Sequence, residues 1–557
     1  MTAQITQGTP IAGDTHEVLN QPPALEDYNL FATDHALQNA TAVNGAGWAK
    51  DRLSAYGAKL GSAETVEQGR LAHKNPPQLQ LFDRFGHRRD HVEFHPAWHN
   101  IMGLIIGEGL HAAPWSDPQP GAHVARAAAY IMHAQIEPGS QCPTTMTYGS
   151  VPALKRDPVL AETWLPTIYS RQYDGSDQPM PQKTGALIGM GMTEKQGGSD
   201  VRSNTTRATP VGSGGPGGEY VITGHKWFFS CPQNDAHLVL AQAPGGLSCF
   251  FMPRWLPDGT RNAIRIQRLK DKVGNKSNAS SEVEFVNAHG WLMGEEGRGV
   301  PTIIEMGTYT RLDCALGSTG LLRGAVSQAL HHVYHRRAFQ RHLIDQPLMT
   351  NVVADLALES EAATLLALRL ARAFDRAEGS EQEAAFRRLC TPAVKYWICK
   401  RAPNAVVEAM EVHGGNGYVD EGPLGMLYKE IPLNSIWEGS GNVMCLDVLR
   451  ALQKHPDSIE AYFAELIPAR GNDKALDAAI NDLKAEFADT EAMEHRARHV
   501  VEKMMVTLQG ALLVRHSIPA VADAFCASRL GRDWGHAFGT LPKGVDTRAI
   551  ADRARPV

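Results

Sequence analysis

The richest chemical opportunity in this chain lies in twelve residues, Gly189-Met190-Gly191-Met192-Thr193-Glu194-Lys195-Gln196-Gly197-Gly198-Ser199-Asp200. Glycines let backbone N–H groups come close to a ligand, and the Thr and Ser hydroxyls supply short, adaptable hydrogen bonds. The segment is not a Walker loop, since no Gly-Lys-Ser/Thr follows, and its glycine spacing is not that of a dinucleotide-binding Rossmann turn. A second segment lies more than two hundred residues downstream. Glu411-Val412-His413-Gly414-Gly415-Asn416-Gly417-Tyr418 precedes Asn434-Ser435-Ile436-Trp437-Glu438-Gly439-Ser440-Gly441-Asn442. There Glu438 is flanked by an indole and by a glycine that leaves room for a ligand. A carboxylate in partly apolar surroundings has its pKa raised toward neutrality and can serve as a general base.

Together the two segments resemble the signatures of the acyl-CoA dehydrogenases: Met-Thr-Glu-x-x-Gly-Gly-Ser-Asp, then Gly-Gly-x-Gly-Tyr followed by an aromatic-Glu-Gly stretch. The resemblance implies FAD as cofactor, an acyl-CoA thioester as substrate and Glu438 as the catalytic base. Some members carry the base just before an arginine on an earlier helix. Here that arginine matches Arg311, and Thr310 before it cannot act as a base. The resemblance also places Met190, Gly191, Met192, Thr193, Gly197, Gly198 and Ser199 against the flavin. Gly224-His225-Lys226-Trp227-Phe228-Phe229-Ser230 is similar to the family's Gly-x-Lys-x-Trp-Ile-Thr stretch, which lays Phe228 on the ring, adds Phe229 and sets Ser230 near flavin N5. Phe228 replaces the usual Trp. Arg336, Phe339 and Gln346 match the Arg-x-x-Phe-Gly motif and the glutamine after it, which grip the FAD pyrophosphate, usually from a neighbouring subunit. Arginine's planar fork suits a diphosphate, and Gln340 stands where the family has Gly. Around the base, Ile436, Trp437, Gly439, Ser440, Gly441 and Asn442 complete the expected cofactor contacts. The family arginine that follows the Gly-Tyr signature falls on Met426.

Within the family, stretches such as MTEKQGGSDVRSNTTRA, RLKDKVGNKSNASSEVEF and NSIWEGSGNVMCLDVLR resemble the AidB subgroup, flavoproteins of the response to alkylating agents. That resemblance implies a homotetramer, weak acyl-CoA dehydrogenase activity at most, and double-stranded DNA binding through the C-terminal block. The alternative is a metabolic acyl-CoA dehydrogenase for short or branched acyl groups, in which that block serves oligomerisation only.

The elements that must position these residues follow from texture. At 557 residues the chain exceeds a single core. Segments between Asp34 and about Tyr173 have helical composition. Around Gln182 the texture changes to short β-prone runs such as His237–Gln242, Leu247–Met252 and Ser281–Val286. Val211–Gly218 reads as a hairpin loop, and helical texture returns from Pro301. The expected organisation is an N-terminal arm and helical domain over 1–180, a β domain over 181–290, a helical bundle over 291–452 and a C-terminal helical domain over 453–557. This is an α+β chain with the acyl-CoA dehydrogenase fold plus an extra C-terminal helical domain.

A net charge of −6 gives no global case for a polyanion partner, so DNA contact would need a local patch. The section after Val514 offers one in Arg515, Arg529, Arg532, Lys543 and Arg548, with Arg553 and Arg555 beyond. The eight cysteines are scattered with no Cys-x-x-Cys pair, as expected of reduced thiols in a cytoplasmic protein. No signal peptide or membrane-spanning run is read. His87, His91, His95 and His99 recur every four residues, but Pro96 should start a helix and split them. His331, His332 and His335 lack a zincin glutamate, and no metal site is expected.

Overall fold

The computed structural model describes residues 15–531 and 534–557. Helices surround a small sheet, in the order helices, β domain, helices. The N-terminal part is helical from His35 onward, except for a hairpin of β1 (Gln78–Phe82) and β2 (Arg88–Glu93) that composition had not signalled. Two of its helices matter for the site, α1 (Ala122–Ala134) and α2 (Gln141–Leu154).

The β domain contains β3 (Ile188–Gly191), β4 (Arg207–Pro210), β5 (Glu219–Ser230), β6 (Ala236–Ala243), β7 (Gly246–Pro253), β8 (Ile264–Leu269) and β9 (Ser280–Met293). Strands pair in the order β6-β4-β5-β9-β7, and β7 returns to β6, which closes a small barrel. β3 adds in parallel to β6, and β8 to β9. The Gly-rich tract forms the hairpin loop expected, joining β4 to antiparallel β5 with Pro210 opposite Tyr220. Tyr220, Ile222, Phe229, Val239, Phe250 and Phe285 fill the barrel interior.

Three long helices follow: α3 (Gly299–His335), α4 (Pro347–Arg376) and α5 (Glu381–Val412). Between α3 and α4 lies a two-residue hairpin, β10 (Arg337–Ala338) with β11 (Arg341–His342). Proline at the first position starts α4, where the missing N–H is no loss. Ser380 caps α5, accepting from Glu383 N at 3.3 Å in a Ser-x-x-Glu arrangement. Helix α6 (Gly441–Lys454) follows the Glu438 segment. The last block includes α7 (Met493–His516) and α8 (Thr547–Ala554). One continuous apolar core runs from Leu30 through α3, α4 and α5 to Ile550, so the C-terminal block shares the bundle's core. A second cluster (Cys142, Met146, Ile188, Leu238, Phe251, Met306) joins α2 and α3 to the barrel, with Met190, Met192 and Trp437 partly buried against it. All eight thiols are free and buried, and no described helix is long and apolar enough to cross a membrane.

Candidate active site

Glu438 sits in a tight turn between a short 3-10 segment, Leu433–Ser435, and α6. Its backbone φ is +59° and that of Gly439 is +104°, so two consecutive residues occupy the left-handed region. Glycine is required at the second, since a Cβ there would lie 2.5 Å from Met444 Cε. A non-glycine residue held at positive φ costs about 1–3 kcal/mol, so surrounding contacts must over-determine it. Those contacts are cationic. Lys395 Nζ on α5 donates to the carbonyls of Trp437 (2.8 Å) and Gly439 (2.5 Å), and Arg311 Nε on α3 donates to the carbonyl of Glu438 (3.1 Å). Arg311 itself pairs with Asp447 at 2.8 Å, a carboxylate it shares with Arg388 and Arg450.

The carboxylate of Glu438 points the other way, to Thr310, whose Oγ1 donates to Oε2 at 2.5 Å. Burial pushes the Glu438 pKa up, opposed by the Thr310 hydrogen bond and by the charges of Arg311 and Lys395. Thr310, ruled out as a base by its chemistry, therefore acts on the base directly. The Trp437 indole donates to Asn434 Oδ1 at 2.9 Å, which fixes the wall beside Glu438.

The Met190–Asp200 segment lies at the opposite side of the second apolar cluster. Gly191 packs on the Phe229 ring, which a Cβ would meet at 2.7 Å, and a Cβ on Gly198 would collide with Thr193 Oγ1. Glu194 is fully buried and pairs with equally buried Lys226 at 2.8 Å. Its second oxygen accepts from Thr205 N (2.7 Å), Thr205 Oγ1 (3.0 Å) and Gln196 Nε2 (2.9 Å). Burial alone would raise this carboxyl, but Lys226 and the converging donors hold it well below the usual range, while burial draws Lys226 down to about 8. The pair ties the Thr193 loop to β5, and sequence reading missed it. A Glu and a Lys, each inside a segment that resembles a family signature, were the available signal.

β5 divides its aromatic pair, because consecutive strand residues face opposite sides. Phe228 is 50% exposed and Phe229 is fully buried, its ring stacked on His237 at 4.0 Å. Phe229 is thus a barrel-core residue, and only its backbone is available to a cofactor, a correction to its expected contact. Ser230 lies beside Phe228's face, 3.4 Å from Ser280 Oγ. Ile436 is 65% exposed, Ser440 is exposed at the N-cap position of α6 without a side-chain capping bond, Gly441 is buried, and Asn442 Oδ1 accepts from Arg498 Nε at 2.9 Å.

Arg336, Phe339 and Gln346 gather at the β10–β11 hairpin, whose two central residues, Phe339 and Gln340, both have positive φ. Such turns favour Asn-Gly; here Gln346 Nε2 buttresses the strand by donating to Ala338 O at 3.0 Å. Phe339 projects from the tip, 90% exposed, and Arg336 donates to Asn20 O at 2.5 Å. Beside the arginine absent at Met426, a cation–carboxylate pair still forms, Lys429 with Asp420 at 2.6 Å. The histidine series is split as the position of Pro96 implied: His91 lies in β2, His95 caps a helix and His99 lies within it.

Among the described residues, most of the arginines after Val514 are engaged by carboxylates. Arg529 is buried, with Nη2 on both Asp355 and Glu359 of α4. Arg515 pairs with Glu465 at 2.7 Å, Arg553 with Glu361 at 3.0 Å, and Arg548 with Asp345 and Asp552 at 3.2 and 3.0 Å. Arg515 and Arg529 as DNA contacts are therefore corrected to internal staples, because the neighbouring helix supplies carboxylates that sequence spacing cannot show. Arg548 is exposed but already carries two carboxylates. Lys543 is exposed and makes no ion pair with the described residues. Arg532 lies outside the described residues.

A half-buried carboxylate held in a turn, with helices, a small barrel and helices following in this order along the chain, is the arrangement of an acyl-CoA-dehydrogenase-type oxidoreductase. Residues 20–175 match the family model of the adaptive response protein AidB N-terminal domain. Residues 189–288 match the acyl-CoA dehydrogenase middle domain and 297–453 the acyl-CoA dehydrogenase C-terminal domain. The putative acyl-CoA dehydrogenase AidB of Escherichia coli K12 is 49% identical over 514 residues, 92% of this chain and 94% of that protein. Acyl-CoA dehydrogenase family member 11 of Caenorhabditis elegans is 28% identical over 84% of this chain and 80% of its own length. Among solved structures, C. elegans ACDH-11 in complex with C11-CoA superposes with a TM-score of 0.84 at 26% identity, covering 99% of this chain and 98% of that one. The acyl-CoA dehydrogenase of Bacillus anthracis complexed with FAD shares the fold at a TM-score of 0.62 and 17% identity, over 82% and 86% of the two chains. The chain belongs to the FAD-dependent acyl-CoA dehydrogenase family, in its AidB branch.

Proposed function

We infer that this protein oxidises an acyl-CoA thioester at its α,β carbons with Glu438 as base. The observation that carries this is Glu438 itself, half-buried, hydrogen-bonded by Thr310 and held at positive φ in the turn before α6, beside Trp437, which packs on the apolar cluster that also takes Met190 and Met192. The residues present fit FAD. Thr193 and the glycines at 197 and 198 leave a close-approach loop, Phe228 offers an exposed ring and Ser230 a hydroxyl. Arg336, Phe339 and Gln346 form an outward hairpin suited to a neighbouring subunit's pyrophosphate in a homotetramer. Bound there, FAD supplies the acceptor for the β-hydride. Glu438 removes the α-proton, and the product is a 2-enoyl thioester. Burial keeps the base's pKa high enough to accept the proton, and Thr310 keeps it ionised enough to start. The test is anaerobic addition of butyryl-CoA and a branched analogue to the yellow holoenzyme. Bleaching of the flavin in wild type and its loss in Glu438→Gln, with FAD retained, is the expected result; bleaching in both sinks the assignment.

The AidB-branch role, a cytoplasmic protein of the alkylation response bound to duplex DNA, rests on the 49% identical relative's family and on exposed Lys543 as a remaining free cation. Duplex binding that weakens steeply with salt supports it, and salt-independent or absent binding removes it.

A further inference from the structure

Two lysine side chains are fully buried, Lys226 and Lys395. Lys226 has Glu194. Lys395, 1% exposed, has no carboxylate partner among the described residues; its ammonium lies between the carbonyls of Trp437 and Gly439. A buried ammonium without a counter-charge is costly, so a nearby anion should compensate it, and Glu438, between those two residues, is that anion. The carbonyls of residues 437, 438 and 439 are all held by cations, Lys395 at both ends and Arg311 in the middle. Arg311 is already paired with a carboxylate, Asp447, which it shares with Arg388 and Arg450. Lys395 is not.

We propose that Lys395 is a positioning residue for proton abstraction, clamping the left-handed turn at Glu438 by both flanking carbonyls and supplying the counter-charge that keeps the base ionised. It rests on the reading of Glu438 as base. It touches no substrate, so it acts through Glu438. The groups that face this carboxylate are Thr310, Arg311 and Cys314 from α3 and Lys395 from α5, with Asp447 of α6 and Arg388 of α5 behind Arg311. Of these, Lys395 is the cation with no carboxylate of its own, and burial of Glu438 is opposed by it.

The test uses FAD-loaded holoenzyme of wild type, Lys395→Met, Lys395→Gln and Lys395→Arg. The protonated-carboxyl infrared band that disappears in Glu438→Gln is titrated without substrate, and the flavin-bleaching rate is measured with butyryl-CoA. Lys395→Met should move the band's midpoint upward by about one pH unit or more, a tenfold change in the ionisation equilibrium. It should slow bleaching by roughly a hundredfold, the cost of a base displaced by about 1 Å, while the thioester concentration at half-saturation stays within threefold. Lys395→Arg restores the midpoint. Lys395→Gln keeps N–H donors and loses the charge, so it shifts the midpoint while folding if Lys395→Met does not. An unshifted midpoint in Lys395→Gln overturns the proposal. If no acyl-CoA bleaches wild type, the reading of Glu438 as base fails, and the substrate-free titration still decides the clamp.

Discussion

Replacing Thr310 with Val isolates the hydrogen bond that the base receives. The hydroxyl is within reach of two acceptors, Glu438 Oε2 at 2.5 Å and Gly307 O at 3.1 Å, and its single proton goes to the closer, charged one. A hydrogen bond to a charged group contributes about 1.5–3 kcal/mol, and each pH unit is worth 1.36 kcal/mol. Since the second acceptor competes for that proton, the lower end applies, and the Glu438 midpoint should rise by about one pH unit. The sign follows from charge: the hydroxyl favours the ionised form, burial favours the neutral form, and removing the hydroxyl leaves burial opposed only by the charges of Arg311 and Lys395. Valine keeps the volume beside Gly149, whose Cβ position lies 3.4 Å from Thr310 Cγ2, so packing is retained. The assay is stopped-flow bleaching of the flavin by butyryl-CoA across pH. Thr310→Val should match wild type well above its shifted midpoint and fall about tenfold below it. Superimposable profiles would refute the idea that Thr310 holds the base in its ionised state.

Two further outcomes follow from charges placed inside. Arg529→Met leaves Asp355 buried without its cation, while Glu359 keeps Arg401 at 3.1 Å, and should destabilise the folded protein by about 3–5 kcal/mol in chemical denaturation, whereas Lys543→Ala on the surface should change stability by less than about 0.5 kcal/mol. Glu430, buried and hydrogen-bonded to Asn275 N and Nδ2, has its pKa pushed up to about 7 by burial. Its folded value exceeds its unfolded one, so it stabilises below the unfolded pKa and the contribution is lost as pH rises through about 7. Glu430→Gln should flatten that decline in Tm between acid and neutral pH; an unchanged slope would place the loss elsewhere.

Much of this was legible in residue order. The short β-prone runs such as His237–Gln242, the turn chemistry of Val211–Gly218 and the carboxylate between an indole and a glycine all depend on near neighbours. Burial of Phe229 was missed for a related reason: period-two patterning shows that Phe228 and Phe229 face opposite ways but not which way is inward. Lys395 and Arg311 were silent as partners of Glu438, because they come from helices 43 and 127 positions away and a lysine in an apolar run gives no hint of its acceptors. The arginines after Val514 looked like a cationic face because a sequence lists charges without their partners. On the chain, Asp355, Glu359 and Glu361 are an unremarkable stretch of α4; in space they are sockets.

Those sockets bind the history of the C-terminal block to that of α4. Arg529 and Arg553 reach Asp355, Glu359 and Glu361, Ser517 donates to Glu361 at 2.5 Å, and Gly539 N donates to Asp355 Oδ2 at 2.9 Å. A chain ended at residue 453 would leave three acids facing water where four groups now meet them, and a three-domain relative given the extension by gene fusion would have nothing to receive it. The two segments can be transplanted only as a pair. A sequence that carries the extension without acids at 355, 359 and 361 is therefore expected to hold it loosely, as an appendage rather than a part of the body.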